Sequence, residues 1–420
     1  ERRSDGKYVW PIYDSFDIFT SDLNGTILTQ LTSEPGYDAE ATVSPKGDKI
    51  VFTSMRTGDL ELYTMNIDGS NVKQITTELG YDGGAFFSPD GSKLAFIWGN
   101  NAKVPFTNGK LKVLDLKSGT IADVAKELDL DLGAPQWLNN SELVVQYDER
   151  GMRKLAQINL KGQRKELTAN LSGTALPQPY LSGGYHLSNG VISYTHGTSQ
   201  RPADIAVVAQ GKSRVLTALN EDLLAHKKLA QVQEINYQSS FDNEPMQGWY
   251  LTPPDFDPAK KYPLILEIHG GPHTAYGPVF AMELQLIAAQ GYVVLYTNPR
   301  GSTSYGMEFA NLIHHKFPSE DYNDLMDAVD ATVAKGFIDA EQLFVTGGSG
   351  GGLLTSWIVG HTDRFKAAVA VNPVINWFSF VLNADMYNYF SQYWFPGMPW
   401  EKPEHYLKHS PISYVGNVKT

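Results

Sequence analysis

Forty-four residues after Ser44-Pro45-Lys46-Gly47-Asp48-Lys49-Ile50-Val51-Phe52, the chain repeats nearly the same phrase as Ser88-Pro89-Asp90-Gly91-Ser92-Lys93-Leu94-Ala95-Phe96. Three shorter pairs share that shift of 44: Gly36-Tyr37-Asp38 with Gly80-Tyr81-Asp82, Asp17-Ile18-Phe19-Thr20 with Glu61-Leu62-Tyr63-Thr64, and Gln30-Leu31-Thr32 with Gln74-Ile75-Thr76. A period of about 40–45 residues built from short alternating strands is that of a four-stranded propeller blade. The Pro-Asp-Gly turn supplies the tight hairpin. Pro135–Val145 is a degenerate copy, and further strand cues begin near Leu111, Leu155 and Asp204. The expectation is a β-propeller over residues 1–235 with about five blades. The repeat loses phase between Trp98 and Leu111, which fits either a long loop or a join of dissimilar material.

The grammar changes after a polar, helix-prone stretch at Leu219–Gln231. Glu234–Tyr237 and Gln247–Leu251 read as a strand pair. The segments Pro263–Ile268, Tyr292–Tyr296, Leu343–Thr346 and Ala367–Val371 are near-continuous apolar runs, as expected of strands buried on both faces of a parallel sheet. Between them, Asp321–Lys335 places Leu325, Val329 and Val333 on one helical face, with Gly336 as the stop. Residues 236–420 are therefore expected to form a doubly wound, mostly parallel α/β unit.

That unit carries a chemical motif. Gly347-Gly348-Ser349-Gly350-Gly351-Gly352 lies between an apolar strand and a helical segment, the setting of a G-x-S-x-G nucleophile elbow. His269-Gly270-Gly271-Pro272 follows the first strong strand of the unit. In such a fold the backbone N–H groups of Gly271 and Gly350 are the candidate oxyanion donors, where only glycine leaves the substrate carbonyl uncrowded. A plain strand-end turn is the alternative for Gly270-Gly271 alone. His269 is a candidate for orienting that loop or for touching substrate. It is a poor general base, because this architecture orders its triad Ser, then Asp or Glu, then His. After Ser349 the histidines are His361, His405 and His409, and none follows a strand in the required place. The triad Asp and His are expected beyond Thr420, and the chain reads as a piece cut at both ends.

Composition excludes several functions. There is no cysteine, so disulfides, thiolate catalysis and Cys-ligated zinc are out. No His/Asp cluster suggests a metal, and no cofactor is implied. The net charge is −12 with no long basic block, which argues against nucleic acid. No apolar run approaches the roughly 18 residues of a membrane span.

Taken together, His269–Pro272, Asn298-Pro299-Arg300-Gly301-Ser302 with Tyr305-Gly306, Gly347–Gly352 and Asp363-Arg364-Phe365-Lys366-Ala367-Ala368 resemble the prolyl oligopeptidase family of serine peptidases, in its acylaminoacyl peptidase and dipeptidyl aminopeptidase branch. Residues 1–97 resemble TolB-type propeller repeats equally well, and that front end favours the periplasm. The resemblance implies an α/β-hydrolase fold and a peptide substrate. It makes Ser349 the acylated nucleophile, and the propeller a filter over the site. His269 stands where the dipeptidyl peptidase branch has an oxyanion-binding tyrosine. Gly350 replaces a bulky aromatic, which would enlarge the specificity pocket. Trp377 and the run Met386-Tyr387-Asn388-Tyr389-Phe390 are candidates for lining that pocket, with core packing as the alternative. Arg300 is a candidate for positioning substrate or for pairing with a helix. An esterase on the same scaffold and a non-catalytic propeller-based binder are the competing functions. Oligomeric state is not legible.

Overall fold

In the computed structural model of the protein, residues 16–99, 104–384 and 389–420 are described. The repeated half forms successive antiparallel sheets in which each strand pairs with the next. Four sheets have four strands each and span Asp38–Gln74, Tyr81–Asp123, Leu132–Thr168 and Tyr185–Val215. A two-stranded sheet, Phe19–Ser21 with Leu28–Gln30, precedes them. Among the described residues, the span expected to hold about five blades contains four four-stranded sheets and one hairpin.

The repeated residues have repeated jobs. Gly47 and Gly91 turn their hairpins at φ 71° and 72°. Each donates its N–H to the serine three residues earlier, Ser44 or Ser88. Thr32 and Thr76 accept the backbone N–H of Ile18 and Leu62 at 2.9 and 2.8 Å, tying outer strand to inner strand in both copies. Both faces of the inner strands are apolar because neighbouring sheets stack on each. Val51, Leu62, Leu94 and Phe96 join the first four-stranded sheet to the second. Ala95 and Val113 pack instead with Leu143, Val145 and Ile158 of the third.

The phase loss after Trp98 is a loop. Strand Lys93–Gly99 pairs directly with Lys110–Asp115, in register Trp98 with Lys110, so the two strands that flank the phase loss are neighbours in one sheet. The helix-prone stretch gives only one turn, Glu221–Leu224. That turn buries no residue, and a short helix without a packed face has little to hold it.

The second unit is one six-stranded sheet. Its strands are β1 (Gln231–Gln238), β2 (Pro245–Thr252), β3 (Tyr262–Ile268), β4 (Val293–Asn298), β5 (Ile338–Gly348) and β6 (Ala367–Val371), in the order β1-β2-β4-β3-β5-β6. β1 pairs antiparallel with β2 and β2 with β4, while β4, β3, β5 and β6 run parallel to one another. β1 starts at Gln231 and straddles the expected junction at 235. Helices α1 (Met282–Ala289), α2 (Asp321–Val333), α3 (Gly350–Val359) and α4 (Trp377–Asn383) accompany the sheet. Leu325 and Val329 of α2 are fully buried, as the spacing requires, against Leu264, Leu266 and Leu295 of the sheet.

The two units meet through backbone contacts. Arg150 and Gly151 donate their N–H groups to Ser304, each at 2.8 Å. A Cβ on Gly151 would sit 2.4 Å from the Trp249 ring, so a glycine is required at that seam.

Candidate active site

Ser349 joins β5 to α3 with φ 55° and ψ −114°, a conformation that L-residues adopt only under constraint. The constraint is the packing around it. Cβ atoms built on Gly347 and Gly351 would fall 2.7 and 2.0 Å from the carbonyl oxygen of Ile268, at the end of β3. Only without those side chains can α3 start against the sheet. Ser349 donates its N–H to Val371 O at 2.8 Å, its carbonyl accepts from Leu353, and its side chain is left exposed.

The two proposed oxyanion donors are neighbours in space. The position of a Cβ on Gly350 lies 3.3 Å from Gly271 N and 2.8 Å from Gly271 O. Gly350 is the first residue of α3, so its N–H has no helical acceptor. Gly271 takes φ 108°, open only to glycine at low cost. A Cβ at 350 would meet the Gly271 backbone, while Gly350 itself borders the cleft beside Ser349.

Beside Ser349 lies a cleft of about 450 Å³ lined by Phe317, Leu353, Val374, Trp377, Phe380 and Trp394, with Tyr389, Phe390 and His273 at its walls. Trp377 therefore lines the pocket, held by the Asn376 side chain that caps its helix. Of the aromatic run, Tyr389 and Phe390 take part, while Met386–Asn388 lie outside the described residues. The out-of-phase loop of the propeller reaches this wall too. Tyr389 donates its hydroxyl to Pro105 O at 2.9 Å, and the Phe106 ring packs 5.4 Å from that of His273. Sequence reasoning missed His273. Its Nδ1–H donates to Gly301 O at 3.0 Å, and burial lowers its pKa to about 4, so the ring is neutral.

His269 and Arg300 are not pocket residues. His269 is buried; its Nδ1 bonds Gly270 O at 2.6 Å and its Nε2 meets Ser302 Oγ at 2.9 Å. Burial lowers its pKa to about 4. It fixes the loop, the first of its two expected roles. Arg300, 1% exposed, spends its guanidinium on buried Asp324 (2.9 Å) and on Asp242 (3.1 Å). It pairs with a helix and the edge turn, so the substrate-binding role is withdrawn. Arg300→Met is expected to cost about 3–5 kcal/mol in chemical denaturation, because Asp324 would stay buried and unpaired. A raised KM at unchanged stability would restore the binding role.

None of the later histidines faces Ser349. His361 Nδ1 bonds Trp357 O at 2.7 Å and its ring stacks on Trp357. His409 Nδ1 bonds Pro318 O at 2.8 Å, and His405 packs against His409. Among the described residues no group of three His, Cys, Asp or Glu is arranged to hold a metal, and no helix is long and apolar enough to cross a membrane.

Glu267, one residue from the end of β3, is a buried carboxyl. It receives Gln178 Nε2–H at 3.2 Å and lies 3.4 Å from the Tyr276 hydroxyl. Burial raises its pKa from 4.5 to about 8, with Glu283 adding to the rise. The folded state therefore holds a proton that the unfolded chain has released, and stability falls as pH rises from about 4.5 through 8. Glu267→Gln is expected to melt with the wild type at pH 5 and a few degrees above it at pH 9. A parallel pair of Tm profiles across that range would refute the assignment.

Comparison with known proteins bears on family and fold. Residues 278–420 match the prolyl oligopeptidase family and residues 12–180 the TolB beta propeller domain. The uncharacterized peptidase YuxL of Bacillus subtilis is 39% identical over 222 residues, which are 52% of this chain and 34% of that protein. Dipeptidyl-peptidase 5 of Porphyromonas gingivalis is 27% identical over 324 residues, 74% of this chain and 46% of its own length. The chain thus spans a third to a half of these relatives. The acylaminoacyl peptidase of Pyrococcus horikoshii superposes with a TM-score of 0.81 at 23% identity, covering 100% of this chain and 68% of that one. An acylaminoacyl peptidase in complex with Z-Gly-Gly-Phe-chloromethyl ketone gives the same TM-score of 0.81 at 23% identity, covering 67% of that chain. The elbow, the glycine loop and the repeats thereby find one home: residues 12–180 match the TolB beta propeller domain, and residues 278–420, which carry Ser349, match the prolyl oligopeptidase family.

Proposed function

We propose that the protein is a serine peptidase of oligopeptides that works through an acyl-enzyme on Ser349. The observation that carries this reading is the convergence of an exposed serine on a constrained elbow with two glycine N–H groups and one aromatic cleft. Ser349 Oγ attacks the scissile carbonyl as its proton passes to a base, and the oxyanion is received by Gly350 and Gly271. The amine leaves with that proton, and water then releases the acyl group. Among the described histidines after Ser349, His361 and His409 are engaged by backbone carbonyls of other segments.

The cleft suits an apolar or aromatic residue next to the scissile bond, as in the ketone bound to the acylaminoacyl peptidase. The chain divides near residues 230–235 into blades and hydrolase, and the blades restrict entry to peptides short enough to pass. The test is turnover by the complete protein of a blocked peptide anilide ending in Phe against a short nitrophenyl ester. Ester turnover without amide cleavage would make it an esterase. A failure of Ser349 to label with a fluorophosphonate would make it a binding protein.

A further inference from the structure

The propeller touches the catalytic loop itself. Leu176–Leu181, between the third and fourth four-stranded sheets, lies along Ala275–Glu283 of the hydrolase as a strap. Leu181 N–H donates to Ala275 O at 3.2 Å and Gly277 N–H to Pro179 O at 2.9 Å, flanking a bridge between Tyr180 and Tyr276. Met282 and Glu283 donate to Leu176 O and Pro177 O at 2.8 and 3.1 Å. The fit is tight: a Cβ on Gly277 would lie 2.2 Å from Gly151 O and 2.7 Å from Leu181 Cδ2.

From this strap the Tyr180 hydroxyl oxygen accepts the N–H of Gly270 at 2.8 Å. It ends 3.2 Å from where a Gly270 Cβ would stand, and Ser349 Cβ lies 3.4 Å from that same point. The Tyr180 ring is braced edge-on by Tyr276 at 4.7 Å. Tyr276 is held in turn by Asn298, which accepts its N–H at 2.8 Å and donates to its carbonyl at 2.9 Å.

Gly270 N–H belongs to the peptide immediately before the one that carries Gly271 N–H. Two glycines in a row have little intrinsic stiffness, so the direction of the second N–H depends on what fixes the first. His269 holds the Gly270 carbonyl, and Tyr180 holds its N–H. Without the phenolic oxygen a buried N–H is left unpaired, and rotation of the Gly270-Gly271 backbone relieves it.

We propose that Tyr180, delivered by the propeller, is a positioning residue for acyl transfer, fixing Gly270 so that Gly271 N–H points at the developing oxyanion. This rests on the acyl-enzyme reading of Ser349. It makes the propeller part of the catalytic apparatus as well as a screen.

Tyr180→Phe in the complete protein removes one oxygen and keeps the ring. The expected result is a kcat lowered about 10- to 100-fold with KM within about twofold. A peptide aldehyde, whose hemiacetal needs the same donors, should bind weaker by a similar factor, with Tm nearly unchanged. Faster amide exchange over residues 269–274, read in the Ser349→Ala background, is expected whatever the substrate. Wild-type kcat, aldehyde affinity and exchange would overturn the proposal. So would a Tm lowered by about 10 °C or more, which would mark Tyr180 as a packing residue. If the wild type neither turns over acyl substrates nor binds the aldehyde, the Ser349 reading fails, and the exchange measurement still decides whether Tyr180 holds the loop.

Discussion

Ser349→Ala in the complete protein is expected to abolish fluorophosphonate labelling and to lower peptide-anilide hydrolysis by about 10,000-fold or more. The size follows from the role. In the proposed mechanism Ser349 supplies the atom that bonds to the acyl carbon, and the described residues offer no second hydroxyl on an elbow. What survives its loss is the oxyanion pair and the cleft, which still bind and polarise a carbonyl but have nothing to attack it with. Stability should hardly move. The side chain is exposed, and the packing at the turn is set by the glycines and by the Ser349 N–H bond to Val371, all of which alanine keeps. Mass spectrometry of the labelled peptide, with steady-state turnover beside it, is the measurement. Labelling that persists in the variant, or hydrolysis within tenfold of wild type, would remove Ser349 from the mechanism.

The sequence disclosed what is local and withheld what is folded over distance. The blade phrase could be read because its glycine turn closes on a serine three residues earlier, and both that turn and the threonine bond recur 44 residues on. The elbow could be read because its glycines answer a crowding that any strand-turn-helix of this kind must relieve. Arg300 was ambiguous because a guanidinium serves a substrate carboxylate and a buried aspartate equally well. Only the placement of Asp324 from α2 and Asp242 from the β1–β2 turn decides between them. Tyr180 and Phe106 carried no usable signal. One lies between blades and the other in the loop that broke the repeat, and each finds its partner far along the chain, at Gly270 and His273. The loss of phase after Trp98 marked the segment as different from the blades, and its Pro105 and Phe106 are where it meets Tyr389 and His273.

Gly351→Ala is expected to disable the site and destabilise the fold together, whereas Gly348→Ala, three residues away, should do neither. The added Cβ at 351 would lie 2.0 Å from Ile268 O and 2.8 Å from both Ile268 C and His269 O. Every one of those atoms is backbone, so no side chain can rotate to make room. Either α3 lifts from β3, or the end of β3 moves. The first displaces Ser349 and Gly350 at the head of the helix. The second displaces His269–Gly271, the loop that Tyr180 and His269 hold in place. Forced overpacking of this kind costs about 3 kcal/mol or more, and a shift of an ångström in either element costs about 100-fold in rate. A Cβ added at Gly348 would have nothing within 4 Å, so alanine there should stay within about 1 kcal/mol and a few-fold in rate. The paired measurement is Tm and fluorophosphonate labelling rate for both variants. Equal effects at 348 and 351 would mean that the spacing of glycines around Ser349 is not set by the approach of α3 to the end of β3.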